Sequence, residues 1–371
     1  MKMKSLFLGL SLLAIAGMWT GCSNDDEVNS ASNEKQAISF RVQGGVPALR
    51  ATGTTLPFVN AFVVNAYGDV TGAAGATLDA ITVYRVEGTD ANNFTYSPKA
   101  YFSANDTEVD FAAYSPVSTS ITSGLGVSGI TNEITYTVNA PNPSGNTAQE
   151  DLLVAFTNQT DLTATTVPLN FKHALSRVYV TAVNTTNADA IITSLRLVNL
   201  YGRGTLAINN LIENVYANPA ADFSDYVKLW VPAAPQNNAY AYVLPQSGVS
   251  VASGTTAATL VVSQEQGMLV LPQTTLNDPA EAVNIANPAF GGAISSFYVE
   301  VGYRLANAME IIRIPFEDVN AITPTAANEG LTFEFGRQYA LNINFAQQGN
   351  LVEINFSVTV EPWNVPAVIV P

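Results

Sequence analysis

Residues 38–43 read Ile38-Ser39-Phe40-Arg41-Val42-Gln43. Apolar and polar side chains alternate, and in an extended chain that puts Ile38, Phe40 and Val42 on one face. The reading is a half-buried β-strand. Gly44-Gly45 ends it, and Val46-Pro47-Ala48-Leu49-Arg50-Ala51-Thr52-Gly53 follows with turn formers at both ends. That piece reads as an exposed loop. Arg50 is the only basic residue between Arg41 and Arg85, and loop tips are where proteases cut.

The same texture continues outward from this strand. Strands are expected at Phe62–Asn65, Ala80–Val86, Phe94–Tyr96, Glu108–Tyr114, Asp151–Thr157, Val167–Phe171 and Ser176–Val183, with Gly, Asn, Asp and Pro between them. The second half repeats it at Ile192–Leu200, Tyr240–Leu244, Thr259–Val262, Met268–Leu271, Ser296–Tyr303, Met309–Pro315, Tyr339–Phe345 and Val352–Val360. No long segment carries a 3.6-residue period. A polar stretch near 184–190 is the best candidate boundary. The expectation is an all-β chain of two tandem β-sandwiches. Its parts are 1–21 as a signal peptide, 22–50 as a linker with the first strand, 51–185 as an N-terminal sandwich and 186–371 as a C-terminal one.

Composition agrees. The 371 residues suit two domains at about 150 residues each. Hydrophobic residues make up 47% and charged residues only 12%, so the chain can bury cores. With 15 basic against 30 acidic residues the net charge is −15, the wrong sign for a nucleic-acid partner. One Cys excludes an internal disulfide and a Cys-rich zinc site; one His excludes the His-rich catalytic zinc sites. No metal or other cofactor is expected. Nucleophile elbow, zinc motif and P-loop are all missing, so the chain is not read as an enzyme, although a carboxylate pair for glycoside hydrolysis stays open on sequence alone.

The first residues read as an address. Lys2 and Lys4 precede an apolar stretch from Leu6 to Trp19, too short to span a bilayer comfortably. It ends in Thr20-Gly21-Cys22, which looks like a bacterial lipobox, with Trp19 where that pattern prefers Leu. Cys22 is the expected lipidation site, and its acyl chains would anchor the chain in the outer membrane. Ser23-Asn24-Asp25-Asp26-Glu27 resembles a surface-export signal; as a charge run alone it is a solvated linker. Loss of residues 1–21 removes Lys2 and Lys4 and no acid, moving the net charge from −15 to −17.

Six segments then carry a family resemblance. They are Asp151-Leu152-Leu153-Val154-Ala155, Phe171-Lys172-His173-Ala174-Leu175-Ser176-Arg177-Val178, Val109-Asp110-Phe111-Ala112-Ala113-Tyr114-Ser115-Pro116, Leu271-Pro272-Gln273, Phe335-Gly336-Arg337-Gln338-Tyr339 and Val360-Glu361-Pro362-Trp363. Together, behind a lipobox, they resemble the fimbrillin family, the type V pilin subunits of Bacteroidales-type bacteria. Upstream of Asp110 the family often has Trp-Pro, where this chain has Ser103-Ala104. The resemblance implies transthyretin-like sandwiches in a surface lipoprotein that ends up in extracellular fimbriae. It also implies assembly: an Arg-specific protease removes the first strand, and the C-terminal segment of another subunit fills the groove.

The chain has residues for each part. Ile38, Phe40 and Val42 are the expected displaced strand. Arg50 and Ala51 flank the expected cut. After Trp363 comes Asn364-Val365-Pro366-Ala367-Val368-Ile369-Val370-Pro371, unusually apolar for a terminus. At about 3.3 Å per residue it spans about 26 Å, enough for a donor strand. One register presents Val365, Ala367 and Ile369 inward, the other Val368 and Val370. Its competing reading is a strand packed within its own chain. The expected partners are copies of this chain or related subunits, the protease, the outer membrane through Cys22, and a host or bacterial surface ligand. The expected function is a pilus subunit for adhesion or biofilm formation. The alternatives are a surface lipoprotein that binds glycan or protein, and a tip subunit that donates no strand.

Overall fold

The computed structural model describes residues 37–43, 59–70, 73–86, 93–118, 120–123, 132–139, 149–212, 229–233, 236–242, 244–264, 267–274, 286–287, 292–293, 298–306, 308–315, 320–321, 332–348 and 351–363. Strands dominate. The first run is β1 (Ser39–Gln43), β2 (Ala61–Val70), β3 (Ala73–Arg85), β4 (Phe94–Thr95), β5 (Asp106–Ser115), β6 (Ile121–Ser123), β7 (Glu133–Thr137), β8 (Leu153–Gln159), β9 (Thr166–Asn170) and β10 (Lys172–His173). Next come β11 (Ser176–Asn184), β12 (Ala190–Tyr201), β13 (Arg203–Ala207), β14 (Trp230–Pro232), β15 (Gln236–Ala241), β16 (Val249–Val251), β17 (Thr255–Val262), β18 (Met268–Val270) and β19 (Gln273–Thr274). The last run is β20 (Ala286–Asn287), β21 (Gly292–Ala293), β22 (Tyr298–Leu305), β23 (Ala308–Pro315), β24 (Asn320–Ala321), β25 (Thr332–Phe333), β26 (Arg337–Gln348) and β27 (Leu351–Pro362).

A six-stranded sheet in the order β10-β8-β5-β2-β3-β4 organises the first half, and its two faces go to different cores. Phe62 and Val64 of β2, Phe111 and Ala113 of β5, and Leu153 and Ala155 of β8 face a first core. Their neighbours Val63, Ala112, Tyr114 and Val154 face a second. Alternation in a strand does this mechanically, because successive side chains leave opposite faces. A sheet covered on both sides needs apolar residues at every position, hence the unbroken run Phe111-Ala112-Ala113-Tyr114.

β1 and β9 close the first core as a parallel pair of their own, with Ile38, Phe40, Val167 and Leu169 pointing into it. The second core lies among three further sheets. One has the order β17-β11-β26-β27-β24, a second β15-β12-β22-β23, and a third β14-β13-β7-β6. β11 and β26 pair in parallel from Arg177–Gln338 to Asn184–Phe345, so Ser176–Asn184 belongs to the sheet of the C-terminal hairpin β26–β27.

Candidate functional site

Residues 38–42 pack into the first core through alternate side chains. Ile38 is 1% exposed and Phe40 3%, while Arg41 between Phe40 and Val42 is exposed. Val42 is half-buried against the same core. The Phe40 ring lies 5.6 Å from Phe62, edge-on, 5.6 Å from Tyr96 and 6.0 Å from Phe111. Burial of Ile38 and Phe40 is worth about 1.5–3 kcal/mol each. The edge-to-face ring contacts add about 0.5–1.5 kcal/mol apiece.

Polar contacts set the register. The Ile38 N–H donates to Ala100 O at 2.9 Å and the Ser39 N–H to Thr165 O at 2.8 Å. The Tyr96 hydroxyl donates to Ile38 O at 2.7 Å and accepts from the Ala100 N–H at 3.3 Å. Burial holds the Tyr96 phenol above its ordinary range, so it stays a donor at neutral pH. Ser39 and Thr166 join hydroxyls across the parallel ladder at 2.9 Å. Among the described residues β1 has a single strand neighbour, β9, and is therefore an edge strand.

A second arrangement sits where the described chain ends. The Trp363 N–H donates to Gly336 O at 3.1 Å, and the Gly336 N–H donates to Leu175 O at 3.1 Å. Gly336 has φ 65, the left-handed conformation that glycine adopts most easily. The buried Trp363 indole stacks on the His173 imidazole, with ring centroids 3.6 Å apart and an interplanar angle of 10°. The Arg177 guanidinium lies 4.5 Å from the Trp363 ring centroid. His173 Nδ1 meets Asp151 Oδ2 at 2.6 Å, both buried. Arg177 also donates to Gln338 at 2.6 Å, and Gln338 to Glu361 at 2.8 Å, one ladder across β11, β26 and β27. The Trp230 indole N–H caps Ala174 O at 2.8 Å. Strand β10 thus ties the first core to the root of the C-terminal tail.

Glu334, in the turn before β26, adds a pH dependence. Burial pushes its carboxyl from 4.5 up to about 7, against the opposing pull of Arg337, whose Nε is 3.8 Å away. Between those values the folded chain holds the proton more tightly than the unfolded chain. Its contribution to stability is therefore full below pH 4.5 and lost as pH rises through 7. The shift corresponds to about 3 kcal/mol. Urea unfolding at a series of pH values should show this decline between about pH 4.5 and 7 in the wild type. Glu334→Gln should flatten it by about that amount; equal slopes would refute the assignment.

Of the residues singled out by sequence, Ile38, Phe40 and Val42 are brought together on the core face of β1. Cys22, Arg50, Ala51, Val365, Ala367, Val368, Ile369 and Val370 lie outside the described residues.

The fold defines an all-β protein of layered sheets with an edge strand seated in an aromatic core. Residues 50–363 match the family model described as fimbrillin-like, and the chain belongs to that family. Membership makes it a pilus-related protein of the cell surface or of an extracellular fimbria, in a structural rather than an enzymatic family. The match begins at Arg50 and ends at Trp363, so β1 and the apolar tail flank it. A fimbrial protein from Bacteroides vulgatus superposes with a TM-score of 0.54 at 14% identity, covering 88% of this chain and 99% of that one. The tip fimbrial protein Mfa3 from Porphyromonas gingivalis, with C-terminal truncation, gives a TM-score of 0.44 at 9% identity, covering 88% and 100%. No curated protein matches.

Proposed function

We propose that this chain is a structural subunit of a surface pilus that polymerises by protease-triggered strand exchange and supports adhesion or biofilm formation. The supporting observation is the segment at β1: Phe40 and the preceding Ile38 are core residues, yet β1 is an edge strand held by one ladder. Removing it would leave an apolar groove and an unpaired sheet edge, which a donated strand can refill. In this reading Cys22 is lipidated, the precursor travels through the outer membrane to the surface, and an Arg-specific protease cuts between Arg50 and Ala51. Residues 364–371 then enter the groove of a neighbouring subunit. In this reading the chain carries two tandem transthyretin-like domains.

The test uses the chain from Ser23 onward. Limited digestion with an Arg-specific protease should produce an N-terminus at Ala51 and, unboiled, a ladder of detergent-resistant multimers. A chain ending at Trp363 should be cut in the same way and give no ladder. A resistant chain, or clean monomers after cutting, would make β1 a permanent strand and favour a capping subunit or a surface binding lipoprotein.

A further inference from the structure

We propose that the Phe40 site is the selective pocket of the groove, and that a neighbouring subunit's strand carrying an aromatic ring there is accepted in preference to residues 364–371 of this chain. The proposal rests on the strand-exchange reading above.

The pocket is an aromatic box. Phe62, Tyr96 and Phe111, all buried, stand around the Phe40 ring at 5.6–6.0 Å. On one side Ile38 fills a fully buried site, and its backbone is fixed at both polar groups: the N–H by Ala100 O and the C=O by the Tyr96 hydroxyl. The Ser39 N–H is committed to Thr165 O. An occupant lying parallel to β9 therefore needs an aliphatic residue, then two residues on a ring, and free N–H groups at the first two positions.

The tail Asn364-Val365-Pro366-Ala367-Val368-Ile369-Val370-Pro371 contains no aromatic residue. Laid in the place and direction of β1, it can fill the three inward sites in four registers. With Asn364 at the Ile38 site, a polar amide enters an apolar pocket and Pro366 replaces Phe40. With Val365 there, Pro366 falls at the Ser39 position and loses the N–H that Thr165 O accepts, while Ala367 replaces Phe40. With Pro366 there, the N–H to Ala100 O is lost and Val368 replaces Phe40. With Ala367 there, both N–H groups survive, but Ala replaces Ile38, Ile369 replaces Phe40 and Pro371 replaces Val42. Every register leaves the box underfilled, and unfilled core volume is penalised steeply. A lost N–H leaves the half-buried Ala100 or Thr165 carbonyl without that donor.

The experiment nicks the chain from Ser23 onward after Arg50, at a concentration too low for chains to assemble, and displaces a labelled 37–50 peptide with unlabelled strands. Circular dichroism checks that the nicked chain stays folded. The competitors are the 37–50 peptide, the same peptide with Phe40→Ile, the 364–371 peptide, and that tail with Ala367→Ile and Ile369→Phe. Phe40→Ile should weaken competition at least about tenfold, and the doubly substituted tail should outcompete the natural tail by at least about tenfold. A natural tail that competes as well as the ring-bearing strands, or a Phe40→Ile peptide equal to its parent, overturns the proposal while leaving strand exchange standing. If no strand enters, the 37–50 peptide included, strand exchange itself fails and the selectivity falls with it.

Discussion

Phe40→Ala is expected to destabilise the first core by about 3–5 kcal/mol, the range for truncating a buried Phe. The residue is 3% exposed and meets three rings, so its removal opens a cavity that neighbours on a continuous sheet can only partly collapse into. Part of the penalty will be local, because β1 is an edge strand and can open without the rest of the sheet. Amide hydrogen exchange separates the two contributions. The amides of β1 and β9 should exchange at least about a hundredfold faster in the variant, since every 1.4 kcal/mol is about tenfold. Tryptophan fluorescence should respond less, because Trp230 and Trp363 both belong to the second core. Arg41→Ala is the control: that side chain is exposed, and its removal should change stability by no more than about 0.5 kcal/mol. A Phe40→Ala chain within about 1 kcal/mol of the wild type would mean that β1 lies on the core without forming part of it.

The alternation that exposed β1 in the sequence worked because one face of that strand is wet. It worked again for β11, β12, β22 and β27, each expected within a few residues of where it lies. It passed over β7 and β13, short Thr-containing strands that pair with each other from Glu133–Ala207 to Thr137–Arg203. Ile134, Tyr136 and Leu206 are fully or almost fully buried there, yet each strand is only five residues long, too short for its alternation to stand out from its surroundings. The two-faced burial of β5 was equally hidden: Phe111-Ala112-Ala113-Tyr114 announces burial without saying that two cores share it. At the site the difference is one of distance along the chain. Ile38, Phe40 and Val42 are within one strand, so periodicity groups them. Asp151, His173, Arg177 and Trp363 are brought together only by tertiary pairing, and no spacing rule joins segments so far apart. Nothing in the sequence stacks Trp363 on His173.

That stack carries the second large expected effect. Trp363→Ala should destabilise the second core by about 3–5 kcal/mol through lost packing. The absent guanidinium–indole contact adds about 0.5–2 kcal/mol. It also strips one face from a buried His173 whose other commitment is to Asp151. Trp363→Phe should recover much of the loss by keeping a ring against the imidazole. The position matters beyond stability, because the apolar tail starts at the next residue. If that tail is donated to a neighbour, any load on the neighbour reaches this subunit's fold through Trp363, its hydrogen bond to Gly336 and the Arg177–Gln338–Glu361 ladder. Trp363→Ala chains should therefore still be cut and still form multimers, since residues 364–371 are intact. Their ladder should come apart at a lower temperature in detergent than the wild-type ladder, with Trp363→Phe between the two. Loss of the ladder altogether would place Trp363 inside the donated strand; a ladder as heat-resistant as the wild type would mean that the tail is anchored elsewhere.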